Sequence, residues 1–113
     1  MIWHTPSFAT APQLQPEDLA ECATRGFALV VNNRPDGEEE GQPTSADLQA
    51  EATKLGMQYA YLPITPGEMT DKEAREFADL VSGAEGPAIA FCRTGNRSEK
   101  LWNRATQLGL IHP

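Results

Sequence analysis

Short apolar runs alternate along this chain with segments in which apolar residues recur every three or four positions. The runs at 27–31, 57–64 and 88–91 predict strands, and the last is typical of a strand buried on both faces of a sheet. The segments between and after them predict helices, because their apolar residues fall on one face. Those faces consist of Leu19, Cys22 and Ala23; Leu48, Ala52 and Leu55; Ala74, Phe77, Ala78 and Val81; and Leu101, Trp102, Ala105 and Leu108. The alternation predicts an α/β fold, with a mostly parallel sheet and helices on both faces.

Turn and capping residues divide the chain at consistent places. Thr70 and Glu73 have the spacing of a capping box at the start of the third helix, and Gly56 is placed to end the second. The segment 1–11 is short and broken by Pro6, which predicts an edge strand or a small hairpin. The 113 residues suffice for one domain with its own core. We therefore expect a single α/β domain over residues 1–113, with a sheet of four to five strands.

The stretch around Cys92 has the composition of an anion-binding turn. The apolar run at 88–91 ends on Cys92, a loop containing Gly95 follows, and the fourth helix begins close behind it. Unpaired backbone N–H groups and the positive end of a helix dipole meet at such a turn, and together they bind anions. The same donors stabilise a thiolate and lower the pKa of a cysteine. Cys92 is therefore a candidate nucleophile.

Basic and small residues beside Cys92 strengthen this interpretation. Arg97 offers a planar pair of donors that suits a tetrahedral oxyanion or a sulfur-bearing anion, and Arg93 adds a second positive charge. Gly95 allows a positive φ and a close approach of the backbone to a ligand. The alternative, a buried cysteine with two solvated arginines, leaves this combination of residue types unexplained. We expect the anion to contact Arg97, Arg93, Thr94, Gly95 and Asn96.

Charge is unevenly distributed along the chain. The net charge of −7 and the isoelectric point near 4.7 argue against a general nucleic-acid binder or a binder of anionic membranes. Between residues 93 and 104 the sign reverses, because four cations face one acid and leave a formal +3. A small anionic substrate is the expected partner, although Lys100 and Arg104 also fit a solvated basic helix face.

The cysteines and the hydropathy pattern favour one cellular compartment for this protein. Cys22 falls on an apolar helix face and Cys92 at a strand end, so the two cysteines predict no disulfide. Residues 1–10 lack the basic start and long apolar run of a signal peptide, and no segment approaches the roughly 20 apolar residues of a membrane-spanning helix. We expect a cytoplasmic protein that requires no metal and no cofactor.

A second polar loop follows the strand at 27–31. Loops at the carboxyl ends of strands gather where α/β domains bind ligands, so Asn33, Arg34 and Asp36 are candidates to contact the substrate or to support the Cys92 loop. The turn chemistry of a Pro-Asp-Gly sequence explains the same residues equally well. The three glutamates at 38–40 are expected to be a solvated surface run.

The Cys92 loop resembles two known motifs. Cys92-x-x-Gly95-x-Arg97-Ser98 resembles the phosphate loop of protein tyrosine phosphatases, Cys-x-x-Gly-x-x-Arg-Ser/Thr, with one residue fewer before the arginine. It also resembles the shorter rhodanese loop, Cys-Arg-x-Gly-x-Arg, without a gap. The loop alone therefore leaves phosphate and sulfur chemistry both open.

Residues outside the loop extend the resemblance from about Pro12 to Trp102. Asn33-Arg34-Pro-Asp-Gly-Glu38-Glu39, Gln42-Pro and Leu101-Trp102 accompany the loop. Together they make the chain similar to the bacterial phosphatase-like domain that heads the beta-lactamase-hydrolase-like proteins. This resemblance implies a fold like that of the protein tyrosine and dual-specificity phosphatases. It also allows a glutamate of the run at 38–40 to partner an arginine.

The resemblance implies a phosphatase-like hydrolase that works through a phosphocysteine. Cys92 is then the nucleophile, Arg97 binds the phosphoryl oxygens, and Ser98 hydrogen-bonds the thiolate or assists hydrolysis of the intermediate. In tyrosine phosphatases an aspartate on a mobile loop protonates the leaving group, and the acids available here are Glu68 and Asp71. Neither stands in the Trp-Pro-Asp setting of those enzymes.

Two other functions remain open. A rhodanese-like sulfurtransferase would carry a persulfide on Cys92, and it is favoured by the short loop and by its lack of need for a general acid. A non-catalytic regulator that binds an anion in the same loop is the third candidate.

Overall fold

The computed structural model of the chain describes residues 1–111. Its strands are β1 (Ile2–Thr5), β2 (Phe8–Ala11), β3 (Leu29–Asn32), β4 (Gln58–Tyr61) and β5 (Ala88–Phe91). Its helices are α1 (Leu19–Thr24), α2 (Ser45–Lys54), α3 (Asp71–Ser82) and α4 (Asn96–Gln107), and a 3-10 turn at Pro16–Asp18 precedes α1. The single domain that we expect over residues 1–113 includes His112 and Pro113, which lie outside the described residues.

The five strands form one sheet in the order β1-β2-β5-β3-β4. β1 and β2 pair antiparallel, and the other three pairings are parallel, so the predicted mostly parallel sheet is confirmed. β5 lies at the centre, between β2 and β3. Because Asn32 pairs with Phe91 at the ends of β3 and β5, the loops that follow these two strands leave the sheet side by side.

Helices cover both faces of the sheet, as predicted. Alternate residues of β5 face opposite sides, since successive side chains of a strand point in opposite directions. Ala88 and Ala90 join a core with residues of α3 and α4, and Ile89 and Phe91 join a core with residues of α1 and α2. All four are fully buried, which accounts for the continuous apolar run of this strand.

The predicted strand boundaries were too generous. The run at 27–31 contributes only its last three residues to β3, which extends to Asn32. The run at 57–64 leaves the sheet after Tyr61, although Leu62 and Ile64 stay buried and bond to the backbone oxygens of Asn32 and Asn33. A hydrophobic run indicates that residues are buried, not that they lie in a strand. Leu62 and Ile64 are buried in the loop beside the sheet.

The first eleven residues form the predicted hairpin, but only its first strand lies at an edge. β1 is half exposed, whereas all four residues of β2 are buried because β2 also pairs with β5. The small hairpin is therefore the alternative that is confirmed, and β1 is its edge strand.

Capping residues act where the sequence placed them. The Thr70 hydroxyl accepts a hydrogen bond from the Glu73 amide, and the Glu73 carboxylate accepts one from the Thr70 amide, which completes the capping box of α3. Gly56 follows α2 with a φ of +81°. Within residues 1–111 we find no helix whose length and apolar character would let it cross a membrane.

We expect Leu101→Ala to lower the free energy of unfolding by about 2–5 kcal/mol, because it empties space in a closed core. Leu101 is 0% exposed between α4 and the sheet, whereas Leu110 is 37% exposed. Leu110→Ala is the matched control and should change stability by less than about 1 kcal/mol. Urea titration of both variants tests this, and equal losses would contradict the assigned core.

Candidate active site

Cys92 is the first residue after the central strand β5, and α4 begins four residues later. Gly95, the N-cap of α4, has a φ of +94°, a left-handed conformation that side chains oppose. A Cβ at this position would stand 3.3 Å from the backbone oxygen of Ala11. Glycine is thus favoured twice, for the turn and for its contact with β2, and the predicted positive φ of Gly95 is confirmed.

Backbone amides of the loop converge on the Cys92 sulfur. The Gly95 amide donates to Sγ at 3.1 Å. Burial of the thiol raises its pKa, but the backbone N–H groups of Ser98, Arg97, Thr94 and Gly95 lower it by more, and the pKa lies below its ordinary value. Cys92 is 1% exposed, so these donors stabilise a thiolate that water barely reaches.

Arg97, in the first turn of α4, is held by two acceptors. Its Nη1 and Nη2 donate to the Glu38 carboxylate at 2.7 and 2.9 Å, and Nη1 also donates to the Ile64 carbonyl at 2.9 Å. The bond with Glu38 raises the pKa of Arg97, and the nearby Cys92 sulfur contributes to the same direction. The guanidinium therefore lies beside the thiol as a permanent positive charge.

Glu38 is the glutamate of the run at 38–40 that partners an arginine, as the family resemblance allowed. Its side chain is 21% exposed and pairs with Arg97 and with Arg34, whose Nε donates to Glu38 at 2.9 Å. Hydrogen bonding to Arg97 lowers the pKa of Glu38; burial opposes this shift, and Arg34 adds to it. Of the three acids, Glu40 forms no ion pair with residues 1–111 and fits the predicted solvated run, whereas Glu39 is 59% exposed and pairs with Arg34. The partner of Glu38, Arg97, is 59 residues away in sequence, so no local pattern could reveal the pair.

Arg34 and Asn33 support the Cys92 loop. Arg34 is 3% exposed and also donates to Gln13 and Glu39, at 3.0 and 3.2 Å. Asn33 accepts a hydrogen bond from the Ser98 hydroxyl at 2.8 Å and donates to the Leu62 carbonyl. The Ser98 hydroxyl is thus engaged with Asn33, and the group of Ser98 that faces the thiol is its amide.

Asp36 serves the turn and not the thiol. Its carboxylate accepts a hydrogen bond from the Ser45 amide at 2.8 Å, and its own amide donates to the Tyr61 hydroxyl. Ser45 is the first residue of α2, so Asp36 satisfies one of the unpaired donors at that helix start. Of the two interpretations open for this residue, the turn is the one that the contacts support.

The two acids considered as proton donors do not face Cys92. Asp71 is bound bidentately by Arg104, at 2.7 and 3.0 Å, and this pairing lowers the pKa of the carboxyl group. Arg104 is therefore paired on the helix face that we described as solvated. Glu68 is exposed, and neither acid lines the pocket beside the loop.

A pocket of about 670 Å³ opens beside the Cys92 loop. Its lining residues are Glu38, Ile64, Pro66, Gly67, Met69, Arg93, Thr94, Asn96, Arg97 and Lys100. The predicted anion contacts at 93, 94, 96 and 97 are thus brought together with residues of the loop at 64–69, whereas Gly95 does not line this pocket. Among residues 1–111, no three or more His, Cys, Asp or Glu side chains come together as a metal site.

The fold and the loop define the class of protein. A five-stranded, mostly parallel sheet with a Cys-x-x-Gly-x-Arg loop between its central strand and a helix is an α/β domain of the tyrosine-phosphatase-like class. The family model for the phosphatase-like domain of the beta-lactamase hydrolase-like proteins matches residues 1–109. The chain belongs to this family, and the predicted resemblance is confirmed.

Relatives in two bacteria agree with this assignment. A beta-lactamase hydrolase-like protein of Agrobacterium fabrum is 35% identical over 85 residues, which are 75% of this chain and 20% of that protein. One of Xylella fastidiosa is 30% identical over 94 residues, which are 83% of this chain and 22% of that protein. The chain spans about a fifth of the length of these curated relatives.

Solved structures resemble the chain more widely. A candidate phosphatase from Neisseria meningitidis has a TM-score of 0.83 and 31% sequence identity, covering 89% of this chain and 72% of the other. Another from Shewanella putrefaciens has a TM-score of 0.80 at 15% identity, covering 97% and 69% of the two chains. At that identity the second comparison shows the fold alone.

We expect the Cys92 thiol to titrate below the free value of about 8.5, because four backbone donors favour its thiolate. The ultraviolet absorbance of the thiolate, measured against pH in wild type and in Cys92→Ser, isolates this thiol without requiring access to it. Cys22 is present in both proteins, so its absorbance cancels in the difference curve. Burial raises the pKa of Cys22, which also places its signal at higher pH. A difference curve centred at or above about 8.5 would contradict the prediction.

Glu38→Gln should destabilise the protein at neutral pH and have a shrinking effect in acid. The pKa of Glu38 is lowered in the fold, so its contribution to stability is present above its unfolded value of about 4.3 and is lost as pH falls through the folded value. Urea titrations of wild type and variant across that range measure the difference. Glu40→Gln is the control, since Glu40 is exposed and forms no ion pair with residues 1–111. A constant difference down to low pH would contradict the ionic origin.

Proposed function

We propose that this domain is a cysteine-dependent phosphatase-like hydrolase that acts on a small phosphorylated substrate. The observation that carries the proposal is the Cys92 sulfur, which faces four backbone amides with the Arg97 guanidinium beside it. Donors held by the backbone keep their orientation during a reaction, and they stabilise charge on a thiolate or on a bound oxyanion. The family to which the chain belongs supports the phosphate ester as substrate.

In the first step the Cys92 thiolate attacks phosphorus. A sulfur–phosphorus bond forms, the bond from phosphorus to the leaving oxygen breaks, and Arg97 and the loop amides bind the phosphoryl oxygens. In the second step water attacks phosphorus, the sulfur–phosphorus bond breaks, and inorganic phosphate leaves the restored thiolate. Asn33 holds the Ser98 hydroxyl, so Ser98 contributes its amide and helps to fix the start of α4.

The leaving group receives no proton from an acid aimed into the pocket. Asp71 is paired with Arg104, Glu68 is exposed away from the lining, and Glu38 is ionised between two arginines. A general acid contributes roughly 10²–10⁴-fold to such reactions. The proposed hydrolase is therefore slow on substrates whose leaving oxygen must be protonated.

Two observations favour sulfur transfer as a second candidate. The loop from Cys92 to Arg97 is one residue shorter than that of tyrosine phosphatases, and among residues 1–111 no unpaired acid lines the pocket. With thiosulfate, the Cys92 thiolate would attack the outer sulfur, a sulfur–sulfur bond would form, and sulfite would leave without needing a proton. The resulting persulfide would pass its sulfur to a thiol or to cyanide.

Aryl phosphates should be hydrolysed faster than alkyl phosphates by at least about 10²-fold, because the missing acid makes the rate depend on the leaving group. A series of phosphate monoesters with leaving groups of rising pKa measures this through kcat/KM. Cys92→Ser should abolish turnover, and Arg97→Ala should lower kcat by about 10²–10³-fold. Arg104→Ala is the matched control, an ion-paired arginine on the same helix outside the pocket.

Parallel assays with an aryl phosphate and with thiosulfate plus cyanide separate the two chemistries. Mass analysis of Cys92 then shows a phosphoryl or a sulfur adduct. Sulfur transfer that depends on Cys92 without phosphate release would overturn the phosphatase proposal in favour of the second candidate. Binding of phosphate with neither turnover would leave the anion-binding regulator of the sequence analysis.

A further inference from the structure

Two cations line the pocket without an acidic partner among residues 1–111. Four of the ten lining residues are charged, namely Glu38, Arg93, Arg97 and Lys100. Glu38 is bound bidentately by Arg97, so these two charges offset each other. Arg93 and Lys100 form no ion pair with any residue in the described part of the chain. The pocket therefore carries two uncompensated positive charges.

Neither the Arg93 nor the Lys100 side chain is among the groups that face the Cys92 thiol. The groups that face the Cys92 sulfur are backbone amides and the Arg97 guanidinium. The Arg93 backbone is fixed by a bond from the Gln13 amide to its carbonyl at 3.2 Å, while its side chain is exposed. Lys100 is exposed one turn into α4, and helical side chains lean toward the start of their helix, over the pocket.

Part of the pocket lining is apolar. Ile64, Pro66 and Met69 belong to it, and Met69 packs against the core between the sheet and α3 and α4. A ligand that fills this pocket thus meets both an apolar surface and two free cations. A substrate whose leaving group is uncharged would contact the apolar surface and leave the two cations without a partner.

The negative charge of the whole protein makes the two free cations of the pocket, Arg93 and Lys100, more important for attracting an anion. With a net charge of −7 the chain repels anions at long range, and attraction is confined to within about 10 Å of the free cations at ordinary salt. Two unpaired cations beside an anion-binding loop favour a ligand with a second negative group over one with a single anion. They leave the first anion to the amides and Arg97.

We propose that the substrate carries a second anionic group, a carboxylate or a phosphate, which Arg93 and Lys100 bind while the reacting anion lies in the Cys92 loop. This inference rests on the proposed function in taking the Cys92 loop as the reacting site. The apolar part of the lining then holds the body of the molecule between its two anions.

Binding to the Cys92→Ser protein tests the inference without turnover. Calorimetry would compare phenyl phosphate, carboxyphenyl phosphate and phenylene bisphosphate, which share a ring and differ in the second group. We expect the second anion to tighten binding by about three- to tenfold at low salt, the range of exposed charge pairs, and the advantage to fall as salt rises. The two compounds with a second anionic group show whether a carboxylate or a phosphate is preferred.

Arg93→Gln and Lys100→Gln, each added to Cys92→Ser, should bring the affinity ratio close to one. Lys54→Gln removes the same charge from an exposed position on α2 outside the pocket and should leave the ratio unchanged. Equal affinity for the three compounds, a ratio that survives both substitutions, or no binding of any compound would overturn the inference. A ratio that depends on both cations, in a wild-type protein that hydrolyses no phosphate ester, would overturn the proposed function and uphold the second-anion site.

Discussion

The Glu38 carboxylate joins parts of the chain that are far apart in sequence. It comes from the loop after β3 and accepts hydrogen bonds from Arg34, at the end of that strand, and from Arg97, at the start of α4. Arg34 is 3% exposed, and a buried guanidinium cannot shed its charge, so it is stable only with its acidic partners in place. The position of Arg97 beside the thiol therefore depends on the folding of a loop that contributes nothing to the sheet.

Strand order determines which loops can meet in this way. β3 and β5 are parallel neighbours, and the Asn33 amide continues their ladder by donating to the Phe91 carbonyl at 2.8 Å. That bond fixes Asn33 where its side chain can accept from the hydroxyl of Ser98, whose amide faces the thiol from the first turn of α4. The two cores that bury β5 thus position the loop that follows it. The same strand is central to the packing of the domain and holds Cys92 in place.

Local patterns in the sequence predicted most of the fold and the centre of the site. The capping box at Thr70 and the glycine at 95 depend on neighbours within a few residues, so their roles could be inferred before any coordinates. The buried run at 88–91 predicted a central strand for the same reason.

What sequence reasoning missed is set by contacts between distant segments. For the acidic run at 38–40, the sequence left a solvated surface and an arginine partner both open, because Arg97 belongs to another element. Asp71 was one of two available acids, and nothing near it in sequence indicates that Arg104, on the neighbouring helix, binds both of its oxygens. Nothing in residues 1–11 indicates that β2 pairs with a strand at 88–91. In each case the environment of the side chain or strand comes from a distant segment.

The groups that lower the pKa of the Cys92 thiol are backbone amides and not side chains of the loop. The donors belong to the path of the chain, which is fixed by Gly95 and by the start of α4, and they do not depend on which side chains the loop carries. Positions 93, 94 and 96 face the pocket and can change without removing a donor from the sulfur. The backbone donors to the sulfur and the side chains that line the pocket can therefore change independently, so the surface that a ligand meets can vary while the environment of the thiol is kept.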